Sequence, residues 1–468
     1  MYEALRRLSA WVLAPVALCG CMVGPNYRRP SIDVPAAFKE ASAAGVNWGP
    51  ARPNDGAEKG AWWLVFRDPQ LSALEERVAV NNQNLKAALA AHDAAEATVD
   101  ETRAGLLPTI ALDPRISRYH LNDQFGTDGQ TRTRPAFSGT INWHLDLWGE
   151  IRRQVESDRA AARASAEQLA WLRLQNQVDL ANDYFVLRYD DSMTSLLQAT
   201  VAAYARALDM TRQRHNLGAV SEVDVISAQT QMQNAQAQLV GVGIDRATQE
   251  HAIAVLVGVP PEALTITSGS LLGAVPTVPV ELPSRLLERR PDVVEAEQNV
   301  VEQNAMIGAA IAAYYPDVNL GALGGYSGSR ALFQAGNKLW LMTAQGSEVL
   351  FNGGARSAKV RSARANYEQS VAAYRQKVLE AFQGVDDNLS SLRILERKGG
   401  IQDATIASAR QGMRFALNEY RMGAVDYTTV INAQTSALSA EESGLQIRQQ
   451  RLSATVSLIE VLGGSWRE

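Results

Sequence analysis

Apolar and polar positions along this chain follow two rhythms, and each rhythm appears in both halves. Between 135 and 147, Phe137, Gly139, Ile141, Trp143, Leu145 and Leu147 alternate with Ser138, Thr140, Asn142, His144 and Asp146. Successive side chains of a strand point to opposite faces, so this period of two predicts a strand with one apolar and one polar side. Val318, Leu320, Ala322, Gly324 and Tyr326 alternate with Asp317, Asn319 and Gly321 and predict another at 317–327. A strand near 338–350 follows, and one near 109–120, where Pro114 makes the pattern ambiguous. The second rhythm is helical. Residues 71–106 are Ala-rich and helix-permissive, and residues 150–216 hold neither Pro nor Gly. A helix over that second stretch would run about 100 Å at 1.5 Å per residue. Helices are also expected at 221–257, 290–313, 356–421 and 427–462. In the fifth, Val360, Ala363, Tyr367, Val371, Tyr374, Val378, Phe382, Val385 and Leu389 recur at spacings of three, four and four. That eleven-residue period favours straight or slightly right-handed packing of helices.

The two halves are copies of one another. Residues 217–230 read LGAVSEVDVISAQT and residues 422–435 read MGAVDYTTVINAQT, identical at eight of fourteen positions. Self-similarity at a fixed offset marks a duplicated structural unit. In each copy a Gly follows a long helical pattern, and a new helix begins just beyond it. Gly218 and Gly423 suit the left-handed residue that ends a helix, and Ser221 and Asp426 suit the N-cap of the next. Each copy therefore turns a long helix back on itself at a tight tip.

The N-terminus adds a targeting segment. Arg6 and Arg7 precede a short apolar run, Leu8 to Leu18, too short to span a bilayer. The run ends Leu18-Cys19-Gly20-Cys21, the pattern of a bacterial lipobox. It predicts a cleaved signal peptide, 1–20, and a Cys21 carrying S-diacylglycerol and an N-acyl chain. Several acyl chains anchor stably where one does not. Position 22 is Met, not the Asp that retains lipoproteins at the inner membrane. Both cysteines of the chain lie here, so no internal disulfide is expected in the mature protein. The remaining organisation is an extended segment at 21–60, copy one at 61–258, a Pro- and Gly-containing linker at 259–283, and copy two at 284–468.

Charge and chemistry narrow the function. The formal net charge is −5, which offers no basic field for nucleic acid. His92, His120, His144, His215 and His251 are scattered without metal-ligand spacing. The Gly-rich run 321–328 lacks the Lys-Ser/Thr of a phosphate loop. The pairs Asp190-Asp191, Asp386-Asp387 and Glu441-Glu442 lie in helical stretches and read as solvated faces. No catalytic constellation, metal site or cofactor is expected. No later segment holds eighteen consecutive apolar residues, so a membrane crossing must use strands. Four strands cannot close a barrel, since the smallest need about eight. Several chains would each contribute four. The predicted fold class is mainly α with a transmembrane β-barrel contribution.

In sequence order, further marks are CMVGPNYRRP at 21–30, Ala61-Trp62-Trp63, Phe66-Arg67-Asp68-Pro69-Gln70-Leu71 and Leu107-Pro108. Asp146-Leu147-Trp148-Gly149, Arg289-Arg290-Pro291-Asp292, Phe351-Asn352-Gly353-Gly354 and the closing Leu462-Gly463-Gly464-Ser465-Trp466 complete them. With the two GAV tips, this set resembles the outer-membrane efflux factors of the TolC/OprM/NodT type. The resemblance implies a homotrimer, with a twelve-stranded barrel in the outer membrane and a helical barrel in the periplasm. It also implies partners: a periplasmic adaptor protein and an inner-membrane pump, often of the resistance-nodulation-division class. The chain would be a passive conduit. The adaptor would meet the tips at Arg214, Leu217, Gly218, Ala219, Val220 and Ser221, and at Tyr420, Arg421, Met422, Gly423, Ala424 and Val425. Carboxylates near the second tip would narrow the periplasmic entrance, with Asp426 and then Asp224 as candidates. Many relatives carry Leu-Asp-Ala-Gln beyond that tip, where this chain has Ile431-Asn432-Ala433-Gln434. Two other classes compete: a structural or adhesive lipoprotein built of helical bundles, which has no use for amphipathic strands, and a diffusion porin, which has no use for these helices.

Overall fold

The computed structural model describes residues 22–35, 38–40, 61–120, 131–276, 289–328 and 331–464. The proposed signal peptide and Cys21 lie outside the described residues, as do 41–60 and the last part of the linker. In chain order the elements are α1 (Pro69–Asn81), α2 (Gln83–Ala104), β1 (Thr109–His120), β2 (Thr131–His144), α3 (Glu150–Asn216) and α4 (Glu222–Leu256). Then come α5 (Pro291–Ala312), β3 (Asp317–Ser327), β4 (Lys338–Ser347), α6 (Ala355–Met422) and α7 (Tyr427–Val461). The chain divides into two compact units. One comprises residues up to Ile32, Ala90–Glu167 and Glu295–Gln376; the other comprises Asp33–Leu89, Gln168–Val294 and Lys377–Glu468.

The first unit holds an antiparallel sheet in the order β1-β2-β3-β4. Its register aligns like with like across all four strands. Ile110 pairs with Ile141, Ile141 with Ala322 and Ala322 with Met342; two residues on, Leu112, Gly139, Gly324 and Trp340 form the next row. Residues directly opposite share a face, so the rows make one continuous apolar surface. The other face carries Asp113, Arg115, Thr140, Asn142 and Thr343, interrupted by Leu323 and Leu341. Much of the apolar side is exposed, with Ile110 at 74%, Ile116 at 78% and Trp340 at 74%, while Phe333 packs on Phe137 and Tyr326 at one end. Strands of 10 to 14 residues match the length that crosses a bilayer at a tilt.

Two predicted strands end early. Leu145 and Leu147 were expected in β2, but the strand stops at His144. Asp146 competes successfully there: its carboxylate accepts from the Ile151 and Arg152 amides at 3.0 and 3.1 Å, and so starts α3. The β4 pattern likewise ends at Ser347 rather than 350, and Arg356 holds the following residues through Glu348 at 3.0 Å and the Val349 carbonyl. The expected single helix over 71–106 is two. Asn82 breaks it, donating to the Leu256 carbonyl at 2.8 Å while its Oδ1 caps the next helix through the Asn84 and Leu85 amides.

The second unit packs an aromatic core, with Phe66 against Phe185 at 4.9 Å and Trp62 edge-on to Trp63. Several sequence marks acquire physical reasons here. Asp68 is the N-cap of α1, accepting from Gln70 and Leu71, and Pro69 occupies the first helical position where no N–H is needed. The other Asp68 oxygen accepts from Tyr184 at 2.7 Å. Arg290 forms a fork on Asp292 at 2.9 and 2.7 Å and lies 5.2 Å over the Trp171 ring.

Candidate functional site

The tips lie in the second unit, and both are built as the sequence predicts. At the first, Gly218 has φ 74°. The Gly218 amide donates to the His215 carbonyl at 2.8 Å, and the Ala219 amide to the Arg214 carbonyl at 2.9 Å. At the second, Gly423 has φ 77°, and the Gly423 and Ala424 amides donate to Tyr420 and Glu419 at 3.0 and 2.9 Å. Both are left-handed helix stops that satisfy the last carbonyls of α3 and α6. A Cβ on Gly218 would meet nothing within 4 Å, and one on Gly423 would only approach Arg214 at 3.8 Å. Backbone conformation, not crowding, calls for glycine at both apices.

The next helices start on side-chain caps. Ser221 Oγ accepts from the Asp224 amide at 3.3 Å. Asp426 accepts from the Thr429 amide at 3.0 Å and the Thr429 hydroxyl at 2.8 Å. These two bonds, the backbone one first, hold the exposed Asp426 carboxyl below its usual range.

Behind the tips, Leu208, Ala228, Tyr420, Tyr427 and Val430 form a buried cluster, with Val220 and Val425 packed on it. Tyr420 and Tyr427 meet edge to face at 5.2 Å. Burial first, then the neighbouring Tyr420, Tyr204 and Asp224, pushes the Tyr427 hydroxyl up to about 12. Arg214 joins the copies: its guanidinium lies 4.6 Å over the Tyr420 ring and donates to the Tyr420 carbonyl. Gln231 on α4 donates to Thr435 on α7 at 3.1 Å.

The predicted contact residues therefore separate into two groups. Leu217, Gly218, Ala219, Ser221, Arg421, Met422, Gly423 and Ala424 are exposed, with Leu217 at 84% and Met422 at 76%. Tyr420, expected as a contact residue, is 2% exposed. Its ring faces the cluster and supports the tip from behind. Val220, Val425 and Arg214 are half-buried against the same cluster. Of the two aperture candidates, Asp426 is exposed and Asp224 half-buried in the first turn of α4.

Sequence reasoning named Arg214 as a tip residue but missed that it links the two copies. It also missed the docking of Met22–Arg29 on the first unit, where Arg153 donates to the Val23 and Gly24 carbonyls. The motif GPNYRRP was visible, but nothing in its periodicity pointed to a contact. In the same unit His144 and Asp317 pair at 2.7 Å beside an open cavity of about 930 Å³, whose walls include Glu101, Glu150, Gln154, Gln303, Lys359 and Asn366. Among the described residues no cluster of His, Cys, Asp and Glu has metal-holding geometry, and no helix is long and apolar enough to cross a membrane.

Comparison with known proteins agrees with this arrangement. The family model described as outer membrane efflux protein matches residues 74–259 and again 282–464, one match per copy. TtgC of Pseudomonas putida, named a probable efflux pump outer membrane protein, is 28% identical over 463 residues, covering 96% of this chain and 94% of that protein. CusC of Escherichia coli, named a cation efflux system protein, is 27% identical over 462 residues, covering 97% of each. Among solved structures, the outer-membrane channel OprN matches with a TM-score of 0.86 at 26% identity, over 95% of this chain and 100% of that one. The Campylobacter jejuni CmeC outer membrane channel shares the fold at 19% identity, with a TM-score of 0.86 over 95% of each chain.

Proposed function

The chain belongs to the outer membrane efflux protein family and is the outer-membrane channel component of a tripartite efflux system; from that premise we propose how it is assembled and engaged. Three copies close one twelve-stranded barrel. The observation that carries this is the sheet itself. Its four strands present a continuous apolar face to the outside, yet β1 and β4 each leave one edge unpaired. Exposed edges with unsatisfied N–H and C=O groups are not viable in lipid, so the edges must meet those of neighbouring copies. The helices would line a duct below, and the polar cavity beside His144 would be part of its wall.

Cys21 carries the lipid anchor, supported by the lipobox spacing. The exposed tip residues Leu217, Gly218, Ala219, Ser221, Arg421, Met422, Gly423 and Ala424 receive the hairpins of a periplasmic adaptor, which couples the duct to an inner-membrane pump of the resistance-nodulation-division class. Arg214, Tyr420, Val220 and Val425 hold that surface in shape. At the entrance, three-fold symmetry would gather one Asp426 per chain into a ring favouring cations, with Asp224 behind it. Relatives named for antibiotic, toluene and cation efflux align along nearly the whole chain, which supports a duct that leaves cargo choice to the pump.

Native mass spectrometry of detergent-extracted outer membranes tests the assembly. A species of three mature chains, each heavier by its acyl groups, is expected. A monomer or dimer would overturn the closure, and an unmodified N-terminal mass would overturn the lipidation alone.

A further inference from the structure

The polar face of the sheet carries its charge unevenly. Directly opposite residues share a face, so Asp113, Arg115, Ser117 and Tyr119 of β1 lie with Ser138, Ala136, Arg134 and Arg132 of β2. On β3 and β4 the same face holds no ionisable side chain beyond Asp317, at the end where the strands join the helices. The positive charge therefore belongs to copy one alone. β2 begins at Thr131, ahead of the alternating residues, and this added start supplies Arg132 and Arg134.

The three arginines form one patch. Arg115 stands opposite Ala136, two residues from Arg134, and such diagonal neighbours are about 7–8 Å apart. Arg115 pairs with Asp113 at 3.2 Å, and Asp113 is the one carboxylate on this part of the face. Arg132 and Arg134 are exposed and make no ion pair among the described residues. Arg134 lies well along β2 from His144 at the helix-joined end. That separation is about 34 Å along a strand, or about 24 Å of height at a 45° tilt. The apolar band of an outer-membrane barrel is about 25 Å tall. Arg134 is thus level with its outer boundary, and Arg132 lies beyond it.

We propose that Arg115, Arg132 and Arg134, repeated by each copy around the barrel, form a cationic ring at the outer mouth of the duct, which binds small carboxylate and phosphate anions and repels cations arriving from outside. The proposal rests on the barrel closure proposed above. Twelve strands about 4.8 Å apart and tilted by about 40° enclose a backbone radius of about 12 Å. The Debye length at physiological ionic strength is about 8 Å, so guanidiniums projecting from that wall act across most of the opening. Rings of arginine favour anions in pores. Like charges at neighbouring strand positions also repel one another, and an anion among them relieves that repulsion. Cargo choice stays with the pump. The ring biases which charged solutes exchange between duct and exterior, with a sign opposite to that of the Asp426 ring proposed for the entrance.

The test uses the full chain in intact cells, with Ser117→Cys as a reporter opposite Arg134. The parent chain supplies the background. Reaction rates with an anionic and a cationic methanethiosulfonate of matched size are compared, each relative to a free thiol, with osmolarity held by sucrose. At low salt the anionic reagent should be favoured at least about tenfold, as a potential of a few kT requires. At about 1 M salt, where the Debye length is about 3 Å, the preference should collapse. Arg132→Ser with Arg134→Ser should lower the low-salt preference at least about fivefold, and Lys at both positions should retain it. No anionic preference at the reporter, an unchanged preference in the serine pair, or a reporter that neither reagent reaches would each overturn the ring. Ile116→Cys, on the apolar face, should resist both reagents; if it reacts while Ser117→Cys does not, the closure with its polar face inward is overturned instead.

Discussion

At the first tip His215 lies on the surface, its Nδ1 donating to the Val220 carbonyl across 3.1 Å. At the matching place of the second tip Tyr420 is buried, packed edge to face on Tyr427 and covered by the Arg214 guanidinium. The two turns themselves are nearly interchangeable, with φ 74° and 77° at the glycine and a side-chain cap on the following helix. Duplication thus preserved the turn and changed its support. The first tip contributes an arginine to the second and receives no equivalent residue in return. Six tips around a trimeric mouth would form two classes of three, one backed by a packed aromatic pair under the Arg214 guanidinium and one by aliphatic side chains of the same cluster with a surface histidine.

The sharpest way to break that comparison is at the apices. Gly423→Trp places a side chain in open space but in a left-handed conformation costing about 1–2 kcal/mol. It should leave trimers in the outer membrane and abolish efflux, whereas Gly218→Trp should only weaken it. Dye accumulation in cells reads both, and normal efflux from Gly423→Trp would remove the contact role of the second tip. Next comes the support. Tyr420→Ala should lower local stability by roughly 3–5 kcal/mol through loss of a buried aromatic ring. His215→Ala should stay within about 0.5 kcal/mol, as for an ordinary surface change. Hydrogen exchange of the α6–α7 turn distinguishes them, and equal effects would mean the tips are supported alike. Arg214→Ala should cost about 1–2 kcal/mol in the same measurement, and it should loosen the second tip more than its own.

The smallest effect concerns the caps. The Thr429 amide and hydroxyl hold the Asp426 carboxyl below its usual value in the folded chain. Its capping contribution is therefore fully present above the unfolded value and is lost as pH falls through the lowered folded value. Thr429 amide protection, corrected for intrinsic rates, should be unchanged between pH 7 and 5 and should fall only in stronger acid. The Asp224 amide, capped by a Ser221 hydroxyl, should show no step from its cap. A loss of Thr429 protection already at pH 5 would contradict the cap geometry.

How much of this the residues announced in advance depends on how local each cause is. Helix ends at Asn216, Leu256, Met422 and Val461 fall within a residue of expectation, because glycine stops and Ser or Asp caps act within one turn. The break at Asn82 escaped notice because an Ala-rich run hides a cap whose other partner, the Leu256 carbonyl, is 174 residues away. The β2 boundary was misplaced because alternation continues through Leu147 while Asp146 is already committed to α3. For the tips, sequence identified the surface but not its support: Tyr420 looks like any helix-end aromatic until Tyr427 and Arg214 are folded against it. The docked N-terminal segment has no periodicity to read, and its partners Arg153, Asn304 and Gly308 are more than a hundred residues distant.

The central claim is that three sheets close into one barrel through their free edges. Paired cysteines test it most directly: one at Arg115 in β1 with one at Leu341, Thr343 or Gln345 in β4. Within a chain these strands are opposite edges of the sheet, about 14 Å apart at three strand spacings, too far for a disulfide. The account predicts that at least one pair, oxidised in membranes, gives covalent dimers and trimers on a denaturing gel, and that neither single cysteine does so. Exclusively monomeric chains from all three pairs, in protein that still reaches the outer membrane, would contradict it.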